Sequence, residues 1–224
     1  MIIYCEGIKK GRWSKMKNIK TPSLLDFLLI HVRKIKYLSQ LIRWRAQGKP
    51  IPPPHLFKQQ LLKFYSNAYG LRTLIETGTY NGQMIQAMDS HFDSIYSIEL
   101  SEELYHNAIN KFHGKPKIKL IYGDSGKELG NIIKKVNEPA LFWLDGHYSG
   151  GGTAKGSEET PIVEEIQHIL DDKDRNHVIL IDDARLFGSN IAYPAIESIE
   201  RLIKAKWPQA RIVVKDDIIR ITRG

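Results

Sequence analysis

Cysteine and long apolar runs are both scarce in this chain of 224 residues. Its one cysteine, Cys5, excludes an intramolecular disulfide framework and a cysteine-rich zinc site, and it favours a reducing, cytoplasmic location. The longest apolar stretch, 24–32, is interrupted by Asp26 and His31, so it falls short of the roughly 18 apolar residues that a membrane span needs. The opening residues also lack the apolar core and cleavage site of a secretory signal. The length suits one domain with a sizeable core.

Acidic residues are scarce in the first 70 positions, where only Glu6 and Asp26 accompany fourteen lysines and arginines. This segment therefore has a net charge of +12 within a chain total of +8, and the remainder is mildly acidic at −4. Any attraction to phosphorylated ligands or acidic lipid surfaces belongs to this first third. The acidic remainder argues against a nucleic-acid groove. A solvated basic helix face is the simpler alternative for the N-terminal segment.

The first 70 residues predict two helices separated by a proline-rich connector. Positions 22–47 place apolar residues at helical spacing with lysines and arginines between them, which is typical of an amphipathic, basic helix. Its apolar stripe must pack against the main domain, a second subunit or a membrane interface, and the sequence leaves these alternatives open. Four prolines precede a second helix at 55–69. We therefore divide the chain into a helical N-terminal extension, 1–70, and a catalytic domain, 71–224.

From residue 71 onward, short apolar strands alternate with helical segments. This alternation predicts a parallel sheet covered by helices on both faces. Two closely spaced β-rich runs at the C-terminus must pair antiparallel. The predicted fold is therefore α/β: a doubly wound, mostly parallel seven-stranded sheet that ends in an antiparallel hairpin. The predicted strands are 73–76, 95–99, 118–122, 140–145, 178–182, 211–214 and 218–222.

The turn after the first strand has the pattern of a ligand-binding turn. Glu76 ends the apolar run, and Gly78 and Gly82 let the backbone turn sharply and approach a ligand closely. The helix that begins after Gly82 directs its free N–H groups toward the same place. Glycine-rich turns of this kind also occur without a ligand, so the turn alone does not decide the function.

Acidic residues recur at the carboxyl ends of the predicted strands, where ligands bind in doubly wound sheets. Glu99 follows the glycine turn by about twenty residues, a spacing that suits a carboxylate bound to ribose hydroxyls; the alternative is a favourable charge at the start of the next helix. Asp124, with Ser125 beside it, suits an adenine amino group, and the alternative is a helix N-cap. The remaining acids at strand ends are Glu76, Asp145, Asp182 and Asp183.

The order of these motifs resembles class I S-adenosylmethionine-dependent methyltransferases over about residues 70–224, including the terminal hairpin. It is most similar to the metal-dependent O-methyltransferases of the macrocin and sugar type. The resemblance implies a transferase with a Rossmann-like fold that binds S-adenosylmethionine. The cofactor-binding residues that it implies are Glu76, Gly78, Thr79, Tyr80, Gly82, Glu99, Asp124, Ser125 and Asp145.

The same resemblance implies a magnesium site formed by Asp145, Asp182 and Asp183. Carboxylate oxygens are the ligands that this hard cation prefers. For Asp183, an N-cap or an ion pair with Arg185 is the alternative. His147 lies two residues after the first implied ligand, where relatives often carry the acid that deprotonates the acceptor hydroxyl. It is the candidate general base, and a metal ligand or a substrate contact are its alternatives.

The glycine-rich segment 148–157 is longer than a connector needs, which predicts a mobile substrate flap. It lacks the Gly-Lys-Ser or Gly-Lys-Thr spacing of a phosphate-binding loop. His55, after the prolines, could reach the site as part of a lid. The function expected is O-methylation of a hydroxylated small molecule, such as a sugar or natural-product intermediate, by a cytoplasmic enzyme, as a monomer or a homodimer. The alternatives are a nicotinamide-dependent oxidoreductase and a membrane-surface or anion-binding module that acts through the basic helix.

Overall fold

The computed structural model describes residues 24–146 and 160–223. The strands that it contains are β1 (Thr73–Thr77), β2 (Ser94–Glu99), β3 (Ile118–Tyr122), β4 (Ala140–Leu144), β5 (Val178–Ile181), β6 (Arg211–Lys215) and β7 (Ile218–Thr222). The helices are α1 (Leu24–Ala46), α2 (His55–Tyr69), α3 (Gln83–Met88), α4 (Glu102–Lys111), α5 (Ser125–Ile133), α6 (Ile162–Asp171) and α7 (Ile196–Lys206), with a short 3-10 turn at Ala184–Leu186.

The strands form one seven-stranded sheet in the order β3-β2-β1-β4-β5-β7-β6. The first five pair in parallel, while β7 pairs antiparallel with both β5 and β6. This arrangement confirms the predicted doubly wound α/β fold with its terminal hairpin. Strand order reverses between β1 and β4, so the crevice at the carboxyl ends of these two strands is where this type of sheet binds ligands.

Helices cover both faces of the sheet because neighbouring residues of each buried strand point to opposite sides. Ile75 and Phe142 belong to a core cluster that includes α5, α6 and α7. Leu74 and Leu141, their neighbours in sequence, belong to a second cluster on the other face. Leu62 of α2 is fully buried in that second cluster. The second N-terminal helix is therefore part of the packed body, and it brings its first turn to the edge of the sheet.

Helix α1 buries only part of its apolar surface. Leu41 and Trp44 are buried, and the Trp44 indole packs against Phe57 and donates a hydrogen bond of 2.6 Å to the Pro50 carbonyl. The part of the predicted apolar stripe whose side chains the structure describes is largely exposed within this chain, at 52–67% for Val32, Ile35, Leu38 and Ile42. Packing against the main domain, one of the three predicted alternatives, does not cover that part of the stripe. Among the described residues, no helix is both long enough and apolar enough to cross a bilayer.

Candidate functional site

The turn between β1 and α3 lies directly against the end of β4. Gly78 adopts a φ of +83°, and a Cβ at this position would lie 2.5 Å from the Asp145 carbonyl oxygen. Gly82, at φ +62°, precedes α3, and a Cβ there would meet the Phe112 ring at 2.6 Å. Both glycines are therefore required by backbone conformation and by close packing. The turn predicted from sequence is present at the point where the strand order reverses.

Glu99 holds this turn at the end of β2. Its Oε2 accepts a hydrogen bond of 2.7 Å from the Tyr80 backbone N–H, and its Oε1 accepts one of 2.9 Å from the Ser101 N–H at the start of α4. The carboxylate is therefore both a contact of the glycine turn and a negative charge at a helix N-terminus. Tyr80 itself is 54% exposed, at a φ of +46°. The interpretation of Glu99 as a charge at the start of the next helix is confirmed, and its contact with ribose hydroxyls stays a prediction.

Glu76 lies beneath the turn and is almost completely buried. Its Oε2 accepts a hydrogen bond of 2.6 Å from the Ser97 hydroxyl, which in turn lies 2.6 Å from the Thr79 hydroxyl. Burial raises the pKa of Glu76 to about 8; the Ser97 hydrogen bond opposes this shift, and the nearby carboxylates of Asp145 and Glu99 add to it. Glu76 is therefore mainly protonated at neutral pH. It supports the turn through a buried network.

Asp124 begins α5, and its carboxylate accepts a hydrogen bond of 3.0 Å from the Gly126 N–H. The N-cap interpretation is thus confirmed. The backbone N–H of Gly123 donates to the Glu99 carbonyl at 3.0 Å, which places the ends of β3 and β2 side by side. Ser125 is buried in the first turn of α5. The two acidic residues expected to bind the nucleoside therefore lie at the same edge of the sheet.

A lysine from α2 occupies the acidic edge at the ends of β4 and β5. The Lys58 ammonium forms a hydrogen-bonded ion pair with Oδ2 of Asp182, whose side chain is 1% exposed. The other carboxylate oxygen of Asp182 accepts a hydrogen bond of 2.9 Å from the Asp183 N–H. Asp183 has a φ of +55°, and its Oδ1 accepts a hydrogen bond of 2.7 Å from Arg185. The alternative of an ion pair between Asp183 and Arg185 is therefore confirmed.

The predicted three-aspartate magnesium site is not formed. Among residues 24–146 and 160–223, no group of three or more histidine, cysteine, aspartate or glutamate side chains is arranged to hold a metal ion. The physical reason is that Lys58 and Arg185 occupy carboxylate oxygens of Asp182 and Asp183 that the cation would need. The donor set at this edge thus does not fit a resident divalent cation, and we derive no chemical step through one.

Lys58 remains a cation in this position. Burial is the largest single influence and lowers its pKa, but the charge and hydrogen bond of Asp182 together with the charges of Asp145 and Asp183 outweigh burial, so that the pKa is raised. The ammonium also lies 5.9 Å from the Trp143 ring centroid in β4. Sequence analysis did not select Lys58. The sequence does contain a sign of its role. Lys58 precedes Leu61 by three residues and Leu62 by four, so it shares an otherwise apolar helix face with two buried leucines.

His55 lies one turn before Lys58, at the start of α2. Its Nε2 atom is buried and has no hydrogen-bond partner within the described part of the chain. Burial lowers the pKa of His55, the positive charge of Lys58 lowers it further, and a hydrogen bond with the backbone of Gln83 partly opposes these effects. His55 is therefore a neutral imidazole close to the start of α3. Its predicted part in a lid over the site stays a prediction.

A pocket opens beside Asp182, at the carboxyl ends of β4 and β5. Its walls come from these strand ends, the start of α6 and the segment after the 3-10 turn. The lining residues are Leu144, Gly146, Thr160, Ile162, Glu165, Ile181, Asp182, Phe187 and Tyr193. The candidate base His147 and the predicted flap 148–157 lie outside the described residues, so both stay predictions.

Comparison with known proteins gives matches only at the level of three-dimensional structure. No family model and no curated protein sequence matches this chain. An O-methyltransferase from Bacillus cereus, solved with S-adenosylhomocysteine, has a TM-score of 0.56 at 15% identity and covers 92% of this chain and 94% of its own. An O-methyltransferase from Streptomyces achromogenes involved in tomaymycin synthesis, solved with S-adenosylmethionine, has a TM-score of 0.54 at 13% identity, with 84% and 88% covered.

A third solved structure, an S-adenosylhomocysteine-bound methyltransferase from Podospora anserina, has a TM-score of 0.51 at 14% identity, with 90% of this chain and 97% of its own covered. At such low identity these likenesses establish the fold. Together with the strand order and the antiparallel hairpin, they show that this chain has the Rossmann-like fold of class I S-adenosylmethionine-dependent methyltransferases.

Proposed function

We propose that this protein is an S-adenosylmethionine-dependent O-methyltransferase that acts on a hydroxyl group of a small molecule, such as a sugar or natural-product intermediate. The observation that carries the proposal is the contact between Glu99 and the Tyr80 N–H, because it fixes a carboxylate and a glycine turn together where the strand order reverses. Two solved relatives named as O-methyltransferases, each with S-adenosylhomocysteine or S-adenosylmethionine, support the assignment.

The residues around the turn fit a nucleoside and an amino-acid tail. The backbone at Gly78 and Thr79 lies at the mouth of the crevice, Glu99 offers lone pairs to ribose hydroxyls, and Asp124 and Ser125 mark the adenine side. When bound, the cofactor supplies a methyl group on a positively charged sulfur. The task of the chain is then to place the acceptor oxygen in line with that methyl group and to exclude water.

Methylation of a hydroxyl group also requires removal of its proton. We assign this role to His147, which follows β4 and Gly146 in the sequence; Gly146 lines the pocket beside Asp182, which we take as the acceptor pocket. Within the described residues, His55 is a second candidate for this role, because its Nε2 atom is buried without a hydrogen-bond partner there. Burial, and after it the positive charge of Lys58, lower the pKa of His55, so that the neutral imidazole has a lone pair that can accept a proton.

Titration calorimetry with S-adenosylhomocysteine tests the cofactor assignment. We expect binding in the micromolar range that is the same with magnesium and with chelator, because the strand-end carboxylates are already paired with Lys58 and Arg185. Glu99→Ala should weaken binding at least about tenfold, since it removes a charged acceptor from the turn. Glu102→Ala, on the exposed first turn of α4, is the matched control.

Two results would oppose this assignment. Absence of S-adenosylhomocysteine binding under both conditions would remove the methyltransferase proposal. Binding of NAD in its place would favour the nicotinamide-dependent alternative, because the ribose-binding carboxylate is common to both classes.

The exposed face of α1 favours a second candidate function, attachment to an anionic membrane surface. Val32, Ile35 and Ile42 project from one side of the helix at spacings of three and seven residues, and Lys36 and Arg43 on the same helix are exposed. No aspartate or glutamate occurs between residues 27 and 75. An apolar stripe with basic residues beside it is the pattern of helices that lie in the interface of acidic bilayers. A second copy of the same face would bring like charges together, which disfavours self-association there.

Co-sedimentation with vesicles tests this second function. The protein should sediment with vesicles that contain phosphatidylglycerol and much less with pure phosphatidylcholine. Ile35→Glu combined with Ile42→Glu should abolish sedimentation, whereas Ile191→Glu, at a fully exposed isoleucine outside α1, should not change it. Equal sedimentation of both variants, or a dimer in solution that the double variant dissociates, would show that the stripe has another role.

A further inference from the structure

Lys58 is a charged residue within the buried face of a helix. It precedes Leu61 and Leu62 by three and four residues, so it projects from the side of α2 that packs on the sheet. Its side chain is only 15% exposed. A lysine in such a position destabilises the fold unless a counter-ion is present. Here the counter-ion is Asp182, which lies 124 positions further along the chain.

The counter-ion lies at the acidic edge of the sheet, where the resemblance to metal-dependent O-methyltransferases implies a divalent cation. The Lys58 ammonium pairs with Asp182 at the end of β5 and lies near Trp143 in β4. Asp145 and Asp183, the two other carboxylates of this edge, are close enough to affect its charge state. The ammonium is therefore in contact with one of the three carboxylates that the resemblance implies as metal ligands, and the charges of the other two act on it.

The remaining donors of this ammonium are available for a ligand. A lysine ammonium has three N–H groups, and within the described part of the chain Asp182 is its one hydrogen-bond acceptor. The acceptor pocket has Asp182 in its wall. Lys58 is not itself a lining residue, but its ammonium is paired with this carboxylate and is not fully buried. A cation in this position can stabilise negative charge on an oxygen bound next to Asp182.

We propose that the Lys58 ammonium is this chain's built-in substitute for the divalent cation, so that the acidic strand edge works with a covalently attached positive charge and requires no metal. This inference rests on the proposed methyltransferase function for its role in the reaction. There the acceptor oxygen forms a bond to the methyl carbon, the C–S electron pair stays on sulfur, and the hydroxyl proton passes to the imidazole base. Lys58 stays protonated throughout and binds the acceptor oxygen.

Removal of the ammonium should convert the edge into a metal site. In Lys58→Ala the carboxylate of Asp182 loses its paired cation, and those of Asp145 and Asp183 lose a nearby positive charge, while Asp183 keeps its ion pair with Arg185. The carboxylate oxygens left without a cation are ligands that suit Mn²⁺. We expect electron paramagnetic resonance titration with Mn²⁺ to show at least about a tenfold gain in affinity over the unmodified protein. Mn²⁺ should also raise the melting temperature of the variant relative to chelator, because a ligand that binds the folded state stabilises it.

Three variants make the result specific. Lys58→Arg keeps a cation and should not gain Mn²⁺ affinity. Lys63→Ala, on the same helix, removes a lysine that makes no described ion pair with this edge and should behave like the unmodified protein. Lys58→Ala combined with Asp182→Asn should lose the gained affinity, because it removes one of the oxygen ligands.

The outcomes are decisive in both directions. Tight Mn²⁺ binding by the unmodified protein, or no gain in Lys58→Ala, overturns the proposal. If Lys58→Ala folds only weakly, recovery of its circular dichroism on addition of Mn²⁺ gives the same answer. Calorimetry with S-adenosylhomocysteine on the same preparations reports separately on the glycine turn, so a failure of the proposed cofactor cannot be mistaken for a failure of the cation substitution.

Discussion

Gly78→Ala is expected to abolish measurable S-adenosylhomocysteine binding and to lower the free energy of unfolding. The added Cβ would lie 2.5 Å from the Asp145 carbonyl oxygen and 3.0 Å from its carbonyl carbon, and both atoms belong to the backbone. A flexible side chain could move away, but here the turn or the end of β4 must shift. Overpacking of this kind costs about 1–3 kcal/mol, and a left-handed conformation costs a non-glycine residue about 1–2 kcal/mol more.

The loss of affinity follows because the same shift moves the Tyr80 N–H away from Glu99, to which it is bonded at 2.7 Å. We expect a decrease of about 100-fold or more by calorimetry, since small displacements in a preorganised site have effects of this size. Gly114→Ala is the matched control: its φ of +78° is nearly the same, but a Cβ there meets nothing within 4 Å. It should lose about 1 kcal/mol and keep its affinity. Equal losses in the two variants would show that strain alone, rather than the contact with β4, is responsible.

The fold could be predicted because its sequence signals are local. Buried parallel strands appear as short apolar runs, and the polar turn before Ile218 requires the last two strands to pair antiparallel. Predicted and observed strand bounds differ by one residue at most. Of the two helices predicted in the first 70 residues, the second has its predicted bounds and the first ends one residue early, at Ala46, because the ends of a helix depend on capping contacts that apolar periodicity does not encode.

The site could be predicted only where its residues belong to the turn or to a strand end. Glu99 and Asp124 were found in this way because the sheet brings its carboxyl ends to one edge. The pairing of Lys58 with Asp182 spans most of the chain, and no local pattern encodes it. Because the sequence does not reveal this ion pair, the same carboxylates predicted a metal site. A charged residue within an apolar helix stripe is the one local sign that a buried partner exists elsewhere.

Glu76 provides the second large effect, a stability that depends on pH. Its pKa is raised from 4.5 to about 8, chiefly by burial, so the folded state holds a proton that the unfolded state releases above about pH 4.5. The unfolded state binds fewer protons in this window, and the free energy of unfolding therefore falls as the pH rises from about 4.5 to about 8. Above about pH 8 the group is ionised in both states, and its contribution becomes constant. At about 1.36 kcal/mol per pKa unit the total is on the order of 5 kcal/mol.

Glu76→Gln should remove this dependence, because the amide is neutral at every pH and its carbonyl oxygen can still accept the hydrogen bond from Ser97. Relative to the unmodified protein, we expect the variant to gain about 3 kcal/mol in the free energy of unfolding between about pH 5.5 and about pH 8.5, measured by urea denaturation. Glu103→Gln, at an exposed position of α4, controls for general charge effects and should follow the unmodified protein. Parallel curves for the Glu76 variant and the unmodified protein would mean that Glu76 is ionised in the folded state. The buried network with Ser97 and Thr79 would then hold a charge beneath the cofactor turn instead of a neutral acid.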